Sequence, residues 1–435
     1  MLKKNDILTV KVIDINHEGL GVAKHEGTVI FIKGAVTGDT LSVKIIKVAK
    51  SYLVAKIEEI LSPSPYRTEP TCPHSKRCGG CIYQSITPEY EKELKENRLA
   101  NEFKRFRVKC NSIKPLVTAK PYGYRNKLQC PVSESGEMGF YAQKSHEIIS
   151  VDFCMLEEEL TVPVYKYLKN HLSSHPQPEI RHIYLRCGVN TGEVMVCLVC
   201  YKEHFNGRDE LVRDIANNFP EVKSIILNIN PENTNVVLGK KCITLYGKDY
   251  IEDILCGLRF KISPLSFYQV NHSCTELLYR AAAELAQVTP EDTLCDLYCG
   301  IGTIGLCVNS IAPAKRLIGV EIVPEAIENA KENAKINGVT NAEFYCSPSE
   351  SFDFGNPDVL IVDPPRKGLA PSLIEAIGKV SPRRIVYISC SPDTLARDCT
   401  MLQDKGYEVT SAQPFNMFPR TGHVESVVCL TRREL

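Results

Sequence analysis

The chain has 435 residues, 43% of them hydrophobic, and its 52 Lys and Arg are balanced by 52 Asp and Glu. That length exceeds one typical domain, so two or three are expected, and the neutral total leaves any RNA-binding surface to local basic patches. The composition speaks against two other classes: no apolar run is long enough to cross a bilayer, and nineteen cysteines, an odd number behind a start (MLKKND) unlike a secretory signal, argue for a reducing cytoplasm rather than a disulfide framework.

Residues 1–61 read as all-β. TVIFI (28–32) and LSVKIIKV (41–48) are strand runs, and Gly19, Gly21, Gly27, Gly34 and Gly38 punctuate the turns. A small barrel closing on itself is expected. Nine lysines against seven acids give it a slight positive excess. LSPSPYRTEP (61–70) is a Pro/Ser-rich linker.

Residues 62–260 form a mixed α+β central domain. A helix is expected over 89–109, where residues 90–109 hold seven basic and four acidic side chains. A solvated amphipathic face accounts for that pattern as well as an RNA surface does. Strands are expected at 183–189 and 193–201, and a helix at 207–218. TCPHSKRCGGC (71–81) sets Cys72, Cys78 and Cys81 in a C-x5-C-x2-C array on a Gly-rich loop. Three thiols so close are seldom core packing, so a metal site needing a fourth ligand is expected.

Residues 261–435 alternate strand and helix, the pattern of a doubly wound, Rossmann-like α/β sheet. Strands are expected at 293–299, 316–321, 358–363, 384–390 and 424–430, with a helix at 324–338. DLYCGIGTIGL (296–306) carries a G-x-G-x-x-G spacing, and Glu321 ends the next strand, placed for ribose hydroxyls. NAD and S-adenosylmethionine both satisfy these two features. IVDPPRKGL (361–369) puts Asp363 on a rigid turn. SCSPDTLARD (389–398) puts Cys390 at a strand end before a helix, whose amides would favour thiolate. HVESVV (423–428) places Glu425 at the mouth of an apolar strand, where a charge needs a reason.

Taken together, FYQVN (267–271), DLYCGIGTIGL, VE (320–321), VDPPRKGL, SCSPDTLARD and GHVESV (422–427) resemble, in order, the RNA (uracil-5-)-methyltransferase family. GLGVA (19–23), GTVIFIKGAVTGD (27–39) and Tyr52 resemble the TRAM RNA-binding barrel. The resemblance implies an S-adenosylmethionine-dependent methyltransferase domain at 261–435. Gln269, Tyr298, Glu321 and Asp363 match the family's cofactor positions, Cys390 its nucleophile and Glu425 its proton-abstracting base. It implies a [4Fe–4S] cluster on Cys72, Cys78, Cys81 and Cys154; zinc, with Cys154 or His74 as fourth ligand, is the alternative. The partner implied is RNA, favoured as 23S ribosomal RNA by the barrel-plus-cysteine combination, with transfer RNA the alternative and an NAD-linked iron–sulfur oxidoreductase a distant one. A cytoplasmic monomer with no protein partner is expected. Two positions depart from the pattern. Pro348 in CSPSES (346–351) stands where relatives carry an acid for the adenine amino group, and Thr303 where some carry an amide.

Overall fold

The computed structural model describes residues 2–232 and 234–433. Strands β1 (Ile7–Ile15), β2 (Leu20–His25), β3 (Thr28–Lys33), β4 (Thr40–Val48) and β5 (Tyr52–Ser62) close a barrel in the order β1-β2-β3-β5-β4. Alternate residues point inward, so Val10, Val12, Ile30, Ile32, Leu41, Val43 and Ile45 form its core. Helix α1 (Pro88–Arg105) follows, capped by the Thr87 hydroxyl accepting from the Tyr90 amide. It stops short of residue 109 because Arg107 takes a left-handed φ of 58°. The chain then runs extended beside the last sheet, bridging Cys110, Ile113 and Val117 to Val409, Ala412 and Phe415.

The central region holds β6 (Lys127–Pro131), a hairpin of β7 (Gly139–Tyr141) and β8 (Ile148–Ser150), α2 (Val162–Ser174), β9 (Ile180–Cys187), β10 (Val194–Cys200), α3 (Arg208–Asn218), β11 (Val222–Ile229) and β12 (Lys241–Gly247). Five of these strands make one sheet, β12-β11-β10-β9-β6. A hairpin of β13 (Ile251–Leu255) and β14 (Leu258–Ile262) follows. The boundary expected at 260/261 falls inside β14, and Phe260 and Ile262 pack into the core of the C-terminal sheet. Leu99 and Phe103 of α1 join that same region's second core layer. Apolar contact, rather than chain order, thus ties α1 to the C-terminal body and makes the hairpin a seam between that body and the central sheet, whose Tyr184, Met195 and Ile226 share the same core.

That body contains α4 (His272–Ala286), β15 (Thr293–Leu297), α5 (Thr303–Ile311), β16 (Arg316–Glu321), α6 (Pro324–Ile336), β17 (Ala342–Cys346), β18 (Val359–Val362), α7 (Pro371–Val380), β19 (Arg384–Ser389), α8 (Pro392–Asp404), β20 (Tyr407–Phe415) and β21 (Glu425–Arg432). The seven strands run in the order β17-β16-β15-β18-β19-β21-β20. β15 through β19 are parallel, and β21 is antiparallel to both neighbours. The order reverses between β15 and β18, and a crevice opens beyond the carboxyl ends of strands at such a switch. No helix among the described residues is long and apolar enough to cross a membrane.

Candidate active site

The crevice is a cleft of about 900 Å³. Gln269, Tyr298, Glu321, Asp363, Cys390 and Glu425 all line it. Tyr298 follows β15, Glu321 ends β16, Asp363 follows β18, Cys390 follows β19 and Glu425 opens β21. Because β21 runs antiparallel, its first residue meets the edge where β19 ends. Ser389 pairs with Ser426, so Cys390 and Glu425 lie one residue beyond the last pair at the same edge, near enough for the Glu425 charge to act on the Cys390 thiol.

The glycine loop is shaped by backbone requirements. Tyr298, Gly300 and Gly302 have φ of 66°, 55° and 82°. A tyrosine held in the left-handed region is strained backbone of the kind that collects at functional sites. Gly305 lets α5 press onto β15: a Cβ there would stand 2.8 Å from Asp296 Oδ2. The Gly305 amide instead donates to that oxygen at 2.8 Å, while Asp296 Oδ1 is buried without a partner. Glu321 accepts from the amides of Ile322 and Val323 at 2.8 and 3.0 Å and of Gly300 at 3.3 Å. These bonds tie the end of β16 to the glycine loop.

The cleft is rich in carboxyl groups. Burial pushes the Glu425 carboxyl far above its usual range, the Asp363 charge adds to this, and Arg366 opposes it. Burial pushes Asp363 up to about 7. Burial, and then the charges of Glu425 and Asp363, raise the Cys390 thiol, with Arg366 working the other way. The helix-amide effect expected to favour thiolate is therefore outweighed in the free protein. Arg125, Arg366 and Lys367 line the same cleft, so its charge alone does not separate the two ligands that the glycine loop left open.

Several lining residues were not singled out from the sequence. Arg366 stood unassigned inside a motif, as did Phe267, which is 66% exposed in the cleft; His423, read as sharing one side of the last strand with Glu425, carried no assigned role. Glu350 also lines the cleft, and the Tyr298 hydroxyl donates to its Oε1 at 3.4 Å. An acid thus stands two residues beyond Pro348. Thr303 bonds the Tyr279 hydroxyl at 3.1 Å.

Cys72, Cys78, Cys81 and Cys154 line a second cavity of about 250 Å³, which His74 also reaches. It shares Gly80, Arg125 and Thr421 with the catalytic-side cleft, so residues distant in sequence become neighbours. Burial pushes the Cys81 thiol up to about 11 and that of Cys154 up to about 12. Among the described residues no group of three His, Cys, Asp or Glu side chains is placed to hold a metal ion.

Comparison with known proteins agrees with this geometry. Residues 350–433 match the family described as tRNA (Uracil-5-)-methyltransferase, residues 2–57 the TRAM domain, and residues 256–354 the TRM5/TYW2 methyltransferase domain. The chain is 41% identical to an uncharacterized RNA methyltransferase of Clostridium acetobutylicum, over 99% of this chain and 98% of the relative. It is 39% identical to one of Halalkalibacterium halodurans over the same shares. It is also similar to the crystal structure of Pyrococcus abyssi tRNA (uracil-54, C5)-methyltransferase in complex with S-adenosyl-L-homocysteine. There the TM-score is 0.80 at 28% identity, covering 98% of this chain and 100% of that one. Fold and cleft together define an S-adenosylmethionine-dependent methyltransferase carrying a TRAM barrel. More narrowly, the chain belongs to the RNA (uracil-5-)-methyltransferase family.

Proposed function

We propose that this enzyme forms 5-methyluridine in RNA, with Cys390 as nucleophile and Glu425 as base. The observation that carries the reading is that these two side chains line one cleft with Asp363, at the edge where the pairing of β19 and β21 ends. Uracil C5 is a weak nucleophile. Addition of the Cys390 sulfur to C6 breaks the C5–C6 double bond and places the electron pair on C5 as an enolate. S-adenosylmethionine, held by Gln269, Tyr298, Glu321 and Asp363, supplies an electrophilic methyl group. Glu425 then takes the C5 proton, the C5–C6 double bond re-forms and the Cys390 sulfur leaves. The left-handed glycine loop, with Tyr298 and Gly300 lining the cleft, fits a ligand closing over this end of the sheet.

The RNA is proposed to be ribosomal, as the barrel and the cysteine loop together suggest. A specific observation favours transfer RNA: the Pyrococcus enzyme, similar over its whole length, acts on uracil 54 of transfer RNA. Mapping 5-methyluridine in 23S ribosomal RNA and in transfer RNA, with and without the gene, separates them. Loss of the base from ribosomal RNA alone supports the first reading; loss from transfer RNA alone supports the second. No loss from either overturns both.

The cysteine cavity is proposed to hold a [4Fe–4S] cluster. Its donor set is soft, four thiols around one cavity, and buried thiols lose their protons when a bound cation replaces the charge of water. Cys72, Cys78, Cys81 and Cys154 would hold it, in a role that stabilises the fold or positions RNA. Anaerobically purified protein should contain about four iron and about four sulfide per chain, as a cubane requires. Stoichiometric zinc without sulfide would defeat the assignment. A cytoplasmic location suits this chemistry, since all nineteen cysteines are free, and a monomer is proposed with it.

A further inference from the structure

We propose that a groove on the central sheet is a second RNA site, which takes an unstacked nucleobase outside the catalytic-side cleft. The inference rests on the RNA reading above and adds where a neighbouring nucleotide is held. The groove has a volume of about 1030 Å³ and is built by β6, β7, β9 and the residues following β10. Its walls present Tyr141, His146, His182 and Tyr201.

Four observations carry it. First, the aromatic rings are open to solvent and fixed in place. Tyr141 is 38% and Tyr201 42% exposed. The Arg181 guanidinium lies 5.6 Å from the centre of the Tyr201 ring, and it is itself anchored on the carbonyls of Asn230, Glu232 and Thr234. One face of Tyr201 is thus backed by a cation and the other is left for a base. Tyr141 is held edge-on to His146 and His182, at 5.4 and 6.4 Å. Exposed rings of this kind are what single-stranded RNA bases stack upon.

Second, His182 is only 6% exposed, lines the groove, and leaves Nδ1 without a hydrogen-bond partner. A buried polar nitrogen with no partner calls for one from a ligand. Burial, helped by Arg181, holds its pKa down at about 4, so the ring presents no charge to the groove. Third, no carboxylate is found among the described lining residues, in contrast to the catalytic-side cleft, so a polyanion meets no repulsion there.

Fourth, the groove neighbours the chemistry. It shares Gln129 with the cysteine cavity, and that cavity shares Gly80, Arg125 and Thr421 with the cleft. The Gly79 amide of the cysteine loop donates to the Tyr141 carbonyl at 3.0 Å, which fixes the groove wall to that loop. A strand whose target uridine enters the cleft can therefore run past the cysteine loop and leave a second base in the groove.

The test uses the full-length chain and a fluorescein-labelled single-stranded RNA of mixed sequence. Tyr201→Ala and Tyr141→Ala should each weaken RNA binding roughly tenfold, the effect of losing one stacked base. Tyr201→Phe, which keeps the ring, should retain wild-type affinity. S-adenosylmethionine binding by calorimetry should be unchanged in all three, which also reports folding. Wild-type protein irradiated with 4-thiouridine RNA should give crosslinked peptides containing Tyr141 or Tyr201. Wild-type RNA affinity in both alanine variants, or crosslinks confined to cleft residues, would overturn the groove. A wild-type chain that neither binds nor methylates RNA would overturn the RNA reading itself, and the groove with it.

Discussion

Four acid groups, Glu321, Glu350, Asp363 and Glu425, share one cleft with a thiol, and the two buried ones, Asp363 and Glu425, act on that thiol most directly. Cys390 and Glu425 both have raised pKa values, and both are needed ionised, so methylation should climb with pH through the neutral range. Arg366 opposes both shifts, so Arg366→Gln should move the acid limb of a single-turnover pH profile upward; an unmoved limb would remove Arg366 from that role. Asp296 tells the opposite story for stability. Its pKa is raised to about 8 by burial and by the charges of Asp363 and Glu321, against a favourable bond from the Gly305 amide. Between an unfolded value near 3.8 and that folded value the native state holds the extra proton, so stability falls as pH rises through the window. Asp296→Asn should flatten that fall when Tm is followed against pH; an unchanged slope would rule the group out. At this scale the sequence was informative about which residues meet, because each sits at a strand end within a short motif. It could not show the direction of the Cys390 shift, which depends on Asp363 and Glu425 arriving from two other strands.

Helix α1 is the element whose role was least legible. Its apolar positions marked a helix, but its buried charges did not announce a partner. Lys95, 1% exposed, donates to Glu91 at 2.8 Å, to Asn416 at 2.6 Å and to the Phe418 carbonyl at 3.0 Å. Glu91 also accepts from the Arg420 amide at 2.9 Å. The helix therefore clamps the loop that leads into Glu425, more than 300 residues on in the chain. Lys95→Ala leaves Glu91 buried with fewer partners and should cost roughly 3 kcal/mol. Chemical denaturation would measure it, and a loss below about 0.5 kcal/mol would mean that the clamp is dispensable. Strands β15, β16, β18 and β19 were legible because a buried parallel sheet reads as continuous apolar runs, whereas the edge strand β17 (AEFYC), mostly exposed, carried no such run. The β13–β14 hairpin was not legible either, since its allegiance is decided by Phe260 and Ile262 packing against a core formed later in the chain.

The whole molecule sets a barrel beside the cleft. A Cβ at Gly422 would stand 2.3 Å from the His17 carbonyl oxygen, and Glu18 pairs with Lys144 at 3.1 Å, so the barrel tip touches both the Glu425 loop and the central region. RNA affinity should fall steadily with salt despite zero net charge, because phosphate contacts release counterions. Deleting residues 2–61 should weaken RNA binding while sparing S-adenosylmethionine; unchanged RNA affinity would deny the barrel a substrate role. On the proposed reading, barrel, central sheet and cleft together bring one uridine to Cys390, and trapping that encounter is the most direct test. RNA with 5-fluorouridine at the target should form a covalent, methylated complex with the wild-type chain, seen as a shifted band on a denaturing gel and mapped to Cys390. Glu425→Gln should accumulate the same kind of adduct on ordinary RNA, since its C5 proton has no acceptor, and Cys390→Ala should form none. Trapping through any other cysteine, or a Glu425→Gln enzyme turning over at the wild-type rate, would contradict the account.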